Sequence, residues 1–165
     1  MAKTTDDIDL SVLAAGALAM RSYQTELEKS LAKANVADGE AAQLYGFPAY
    51  SILLFLAEYD AEDMNEKKHL SLLRKFNVDT AGNLKTYPLL SQSALFEIFG
   101  NLGLSRESIR RLLIQLSEVG LVDRTSKGPP FPDQLGISKD GGRLIKRVAK
   151  RQKKEMAKSK PFGYL

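Results

Sequence analysis

Cysteine is absent from this 165-residue chain, and histidine occurs once, as His69. The first absence removes disulfides, thiolate metal sites and cysteine nucleophiles together. The second leaves no histidine pair to hold zinc and no base for a Ser-His-Asp relay. A phosphate-cradling glycine loop is also missing, as is a carboxylate pair of evident catalytic purpose. The expectation is a protein that is not an enzyme, with no cofactor and no metal. Long apolar runs are lacking as well. The stretch Leu10 to Met20 is too short to span a bilayer. Asp6, Asp7 and Asp9 stand before it where a signal peptide would carry positive charge. No membrane partner is expected, and the cytoplasm of a prokaryote is the expected location. Internal repeats are absent too.

What is present suits a folded protein. A 44% hydrophobic content supplies a core, and 27% charged residues argue against wholesale disorder. The length allows one ordinary domain, or a compact domain with appended helices. Charge is unevenly placed. Residues 1–90 hold 9 Lys/Arg against 13 Asp/Glu, a net of −4, whereas residues 91–165 hold 15 against 7, a net of +8. Positive charge concentrated in one half is the electrostatic footprint of a polyanion binder.

The most patterned segment lies in that basic half, from Leu102 to Arg124. A Gly103-Leu104-Ser105 turn opens a helix whose apolar stripe is Ile109, Leu112, Leu113, Leu116 and Val119, the spacing of a helix buried on one side. Arg106, Ser108, Arg110, Arg111 and Gln115 fall opposite. Gly120 ends the helix, and the β-prone Leu121-Val122-Asp123-Arg124 follows. The stretch 125–133, rich in glycine and proline, reads as a loop. Leu135-Gly136-Ile137 returns as a second strand, and Ser138 starts a final helix, Lys139 to about Lys158, with Leu144, Ile145, Val148, Gln152 and Met156 on its apolar side.

Upstream, a helix is expected over about Ser11 to Ala34, with Ser11 as its cap and a stripe of Leu10, Leu13, Ala17, Tyr23, Leu27 and Leu31. Gly46-Phe47-Pro48 interrupts a short helical stretch. Residues 48–63 form a helix apolar nearly all round, hence central to the core. Glu66 to Phe76 is a further helix, Asn77 to Pro88 a loop, and Ser91 caps a short helix from Gln92 to Phe99.

The succession helix, turn, helix, strand, loop, strand is that of a winged helix-turn-helix, so the expected fold is mainly α with a small β-hairpin wing. In detail, GLSRESIRRLLIQLSEVGLVDR followed by GISKDGGRLIKRV resembles the MarR family of bacterial transcription regulators. The matching positions are Gly103-Leu104-Ser105 before the recognition helix, Leu116-Ser117-Glu118-Val119-Gly120-Leu121-Val122 at its end, and Ile137-Ser138-Lys139-Asp140-Gly141-Gly142-Arg143 after the wing. The close match covers residues 88–148. It implies a homodimer with interlocking terminal helices and two DNA-reading lobes. Residues 1–47 would be an N-terminal dimerisation segment, 48–138 the winged helix-turn-helix, and 139–165 a basic C-terminal dimerisation helix; the other readings of its Lys146, Arg147, Lys150, Arg151, Lys153 and Lys154 are a phosphate-binding arm and, less well supported by its modest apolar side, a membrane-surface helix. The chain departs from the family in two places. Extra residues Phe99-Gly100-Asn101-Leu102 enter the turn, and the wing carries Lys127 and a proline cluster in place of an Asp-x-Arg tip.

The candidate DNA-binding residues follow from the helix face and its surroundings. Arg106, Arg110 and Arg111 can reach guanine edges or phosphates in a major groove. The other reading is a solvated face pairing with Glu107 or Glu118. Ser105 and Ser108 sit at a helix N-terminus, where phosphate binds readily, although Ser105 also serves as a plain cap. Gln115 extends the face. Ser91 and Gln92 open the preceding helix as phosphate clamps, and Arg124 and Lys127 are the wing's charged groups. Tyr45, Tyr50, Phe55 and Tyr59, with Phe47, are aromatics around the central helix. They are either core or, as the resemblance implies, a pocket for a small aromatic effector. The function expected is a sequence-specific, homodimeric regulator that places residues 105–119 in the major groove of double-stranded DNA. The alternative is a winged-helix module that binds protein, or that coats nucleic acid without sequence preference.

Overall fold

In the computed structural model, six α-helices, a 3₁₀ turn and a two-stranded hairpin account for nearly all of the described residues, which are 10–34, 36, 41–60, 66–75, 92–100, 103–125 and 134–158. In chain order they are α1 (Leu10–Lys33), the 3₁₀ turn Ala42–Tyr45, α2 (Phe47–Asp60), α3 (Glu66–Lys75), α4 (Gln92–Gly100), α5 (Arg106–Glu118), β1 (Val122–Thr125), β2 (Gln134–Ile137) and α6 (Lys139–Lys158). The architecture is mainly helical with one antiparallel hairpin, which is compatible with a winged helix. The expected loop of residues 125–133 is shortened at its start, because Thr125 is the last residue of β1; its remainder, the loop over Asn77 to Pro88 and the cap at Ser91 lie outside the described residues.

Helix α2 takes the centre because its sequence leaves it little polar surface. Ala49, Ile52, Leu53, Phe55 and Leu56 are all buried. The helix packs against β2, α6, the 3₁₀ turn, α3 and α1. One continuous apolar cluster runs from Tyr23 on α1 through α2, α4 and α5 to Val148 on α6, so the three expected segments share a single core. Phe55 on α2 meets Phe99 on α4 edge-on, with ring centroids 5.8 Å apart. The short 3₁₀ turn is held from α1: the Tyr23 hydroxyl donates to the Leu44 carbonyl at 2.5 Å, and Gln24 Nε2 donates to the Tyr45 carbonyl at 3.0 Å.

Two expectations for α1 need correction. The helix already includes Leu10, so Ser11 sits inside the first turn and is not its cap. Of the expected stripe, Tyr23, Leu27 and Leu31 are buried, whereas Ala17 is exposed and Leu13 is 57% exposed. Between residues 13 and 21 no side chain is fully buried; Met20 leans on the core, and Ser22 is the first buried residue of that stretch.

The two terminal helices, α1 and α6, are packed on each other. Glu26 of α1 sits between two guanidinium groups of α6. Its carboxylate accepts from Arg151 Nε at 2.9 Å and lies 3.4 Å from Arg147 Nε. Lys29 approaches it at 3.9 Å from the same helix. Burial alone would push the Glu26 carboxyl up. The Arg151 hydrogen bond and the charges of Lys29, Arg151 and Arg147 outweigh that effect and hold it below its ordinary value. Arg147 also donates to Ser30 Oγ at 2.9 Å.

Candidate nucleic-acid interface

Helix α5 is set by three local devices. Ser105, in extended conformation, caps its start by accepting from the Ser108 backbone N–H at 3.1 Å. Leu104 before the cap and Ile109 in the next turn both face inward, the disposition of a hydrophobic staple. At the other end Gly120 adopts φ +79°, a left-handed conformation open to glycine at no steric cost. The Leu121 N–H then returns to the Leu116 carbonyl at 2.9 Å, and the Gly120 N–H to that of Ser117 at 3.1 Å. This is a Schellman stop, sealed by the buried Leu116 and Leu121.

The inner face of α5 follows its sequence period. Ile109, Leu112, Leu113 and Leu116 are buried, each contributing about 1.5–3 kcal/mol as an upper estimate. Arg106, Glu107, Ser108, Arg110, Arg111 and Glu118 remain exposed. The three arginines are therefore outside the core. They are not isolated, however. Glu107 accepts from Arg110 through both oxygens, at 3.1 Å from Nε and 2.8 Å from a terminal nitrogen, and from Arg111 Nε at 3.1 Å. The Arg110 hydrogen bond first, then that of Arg111 and both charges, hold the Glu107 carboxyl below its ordinary value against a smaller opposing effect of desolvation. The same hydrogen bond holds Arg110 more firmly protonated. Arg106 turns toward α4, with its guanidinium carbon 5.7 Å from the centre of the Phe96 ring.

The remaining candidates divide. The hydroxyls of Ser105 and Ser108 bond each other at 2.9 Å, so Ser105 acts locally as a cap with its partner attached. Gln115 is half-buried, and its Oε1 lies out of solvent with no hydrogen-bond partner among the described residues; it does not join the exposed face. Gln92 opens α4 and is half-buried, and Arg124 is exposed on β1, paired in register with Leu135 of β2. Ser91 and Lys127 lie outside the described residues.

Three of the aromatic candidates pack on other rings. Phe55 is fully buried and stacks on Tyr59 at 5.9 Å, besides its edge contact with Phe99. Tyr50 stacks on Tyr23 at 4.8 Å, and burial pushes its phenol up. Tyr45 is half-buried against the same core, while Phe47 is 60% exposed. Tyr50 thus lies in one ring cluster and Phe55 with Tyr59 in another.

A feature that sequence reading passed over links α5 to α6. Ser138 Oγ donates to the Gly120 carbonyl at 2.6 Å and accepts from the Gly141 N–H at 2.9 Å, capping α6 while holding the stop of α5. The Ser138 N–H donates to the Leu121 carbonyl at 3.1 Å. Gly141 presses so closely on that carbonyl that a Cβ would stand 2.1 Å from its oxygen. The spacing Ser138 to Gly141 was a visible cap signal; the tertiary partner was not.

Among the described residues, no helix is long and apolar enough to cross a membrane. No protein-family model matches the chain, and no curated protein matches it. A crystal structure of Rv1404 from Mycobacterium tuberculosis is similar at 15% identity, over 71% of this chain and 73% of that one, with a TM-score of 0.36. A likeness that loose carries no inference about fold or activity.

Proposed function

We propose that this chain is a sequence-specific, homodimeric regulator of transcription with a winged helix-turn-helix fold, and that α5 enters the major groove of double-stranded DNA. The observation that carries this reading is the division of α5 into a fully buried apolar side and an exposed side bearing Arg106, Arg110 and Arg111. A helix can lie in a major groove only if its outer side is unencumbered and its inner side is fixed. The hairpin, rooted at the same Gly120 turn, takes the place of the wing. The +8 balance of residues 91–165 supplies the long-range attraction. Dimerisation rests on the resemblance, and Leu13 on α1 and Met156 on α6 are 57% and 48% exposed. The resemblance of residues 88–148 to the MarR pattern agrees with each of these points.

Pairing with Glu107 does not remove Arg110 and Arg111 from consideration. Ion pairs between side chains this exposed are weak, and phosphates or guanine edges compete with them readily. That pairing does favour a second reading, in which α5 is a solvated face of a protein-binding or non-specific nucleic-acid-binding module.

Random-site selection with the purified protein, followed by gel shifts of Arg110→Ala plus Arg111→Ala, tests the proposal. An enriched motif with two half-sites about one helical turn apart is expected. The double variant should keep its fold and lose about 1–3 kcal/mol per contact removed. A steep salt slope with no enriched motif would move the protein to the non-specific reading. Unchanged affinity in the double variant refutes the assignment of these arginines.

A further inference from the structure

Helix α6 buries Leu144 and Val148 in the core, which fixes where its cations point. At 3.6 residues per turn, Lys139, Lys146, Lys150, Lys153, Lys154 and Lys158 share about 140° of its circumference, turned away from that buried side. All six are exposed, and none forms an ion pair among the described residues. The arginines between them are differently used. Arg147 and Arg151 reach Glu26 on α1, so they anchor the helix and leave the lysines outside. Asp140, the one carboxylate on the outer face, lies 3.6 Å from Arg143. Lys146, Lys150, Lys154 and Lys158 follow one another at intervals of four, the spacing at which like charges on a helix repel. That repulsion goes unrelieved until an anionic partner arrives.

The shape of the face selects the partner. From Lys139 to Lys158 it runs about 28 Å, with roughly one free charge per 5 Å. A nucleic acid strand carries about one phosphate per 3.4 Å, a line of comparable density. Interfaces with proteins are depleted in lysine and anchored by aromatic residues, whereas this face has only Ala157 besides its charged residues. A helix that seats on lipid inserts its apolar side, and here that side is already in the core. Lysine is a flexible point charge, suited to phosphates whose exact positions vary. We infer that the outer face of α6 is a second nucleic-acid surface, which lies along the phosphate backbone of a duplex without reading its sequence. It involves no base contact, and it stands whether or not α5 reads a motif.

The test is fluorescence anisotropy of the full chain with a labelled random-sequence duplex, over a series of sodium chloride concentrations. Lys146→Gln, Lys150→Gln, Lys153→Gln and Lys154→Gln are combined in one variant. It should keep its fold by circular dichroism, because glutamine matches lysine in helix propensity. Each lysine that meets a phosphate contributes about 0.9 to the slope of log affinity against log salt, so the slope should become shallower by about 3 units. Arginine at the same four positions should restore it. Lys33→Gln, Lys67→Gln, Lys68→Gln and Arg74→Gln remove the same charge from exposed positions on α1 and α3, and should change the slope by less than one unit. An α6 change below one unit overturns the inference, as does an equal change in that control, which would reflect net charge alone. Tighter binding per phosphate to vesicles containing phosphatidylserine than to the duplex would assign the face to membranes and also overturn it. In the Arg110→Ala plus Arg111→Ala background the α6 effect should be unaltered. Absence of an enriched motif in site selection would defeat the reading of α5 and leave this result in place.

Discussion

Adding one methyl group at each of two adjacent glycines should move stability in opposite directions. Gly141 and Gly142 both lie in the first turn of α6, and both should gain from alanine's better helix propensity, by about 1 kcal/mol at most. Around Gly142 nothing stands within 4 Å of the added Cβ, so Gly142→Ala should stabilise by about 0.5–1 kcal/mol. At Gly141 the new atom would be 2.1 Å from the Leu121 oxygen and 2.8 Å from Ile137 Cγ1, where ordinary contact begins at 3.4 Å. Ile137 can yield, but the carbonyl is backbone. It is held by the Schellman stop on one side and by the Ser138 N–H on the other. Displacing it costs about 1–3 kcal/mol of overpacking and about 1 kcal/mol for the strained hydrogen bond. Less the propensity gain, Gly141→Ala should destabilise by about 2 kcal/mol. Denaturant unfolding with a common m-value measures both variants against wild type. The expected gap between them is about 3 kcal/mol, or roughly 6–12 °C in Tm for a chain of this size. If Gly141→Ala is no less stable than Gly142→Ala, the close seating of α6 on the end of α5 is wrong.

Further variants probe other contacts. Glu26→Gln should cost about 1–2 kcal/mol at neutral pH, because the Glu26 carboxylate is buried and the half-buried Arg151 loses its charged acceptor. Since the folded carboxyl titrates below its ordinary value of 4.5, the wild-type advantage should be complete above that pH. It should shrink as the pH falls through the lowered folded value, as paired melting curves at successive pH values would show; a gap that widens in acid contradicts the ion cluster. Tyr23→Phe should lose about 1–3 kcal/mol in denaturant unfolding, because the buried Leu44 carbonyl is left without its donor. Glu107→Gln should leave the melting temperature unchanged yet increase retention of DNA on a shift gel, since it releases two guanidinium groups; decreased retention would make Glu107 a contact in its own right.

Much of this was legible in the sequence where information is local. The α5 stripe, its Ser105 cap and its Gly120 stop are written within about fifteen residues, and they turned out as periodicity and capping chemistry require, save that Val119, the last of the stripe, is half-buried at the C-cap. The bounds of α6 and the buried body of α2 were equally plain. What escaped depends on partners far away in the chain. Nothing in the neighbourhood of Glu26 announces two arginines more than a hundred positions later. The exposed start of α1 escaped for a similar reason, since a stripe at helical spacing states which side is apolar but not how far its neighbour extends. Gln115 fell on the polar side by period and still turned inward, because its long side chain reaches beyond the angle its Cα sets. Arg106 and Arg110 were expected to face outward, and they do, yet each has found a nearer companion in Phe96 or Glu107.

Clasping α1 to α6 also imposes an order on assembly. Arg151 meets Glu26 across 125 positions, so during synthesis the first helix leaves the ribosome on the order of ten seconds before the arginine that secures it. Through that interval a carboxylate stays hydrated and a partly apolar helix waits uncovered. Non-local closure of this kind slows folding and lengthens exposure to aggregation. Truncation within the final twenty residues should therefore harm yield in the cell far more than their small share of the core suggests.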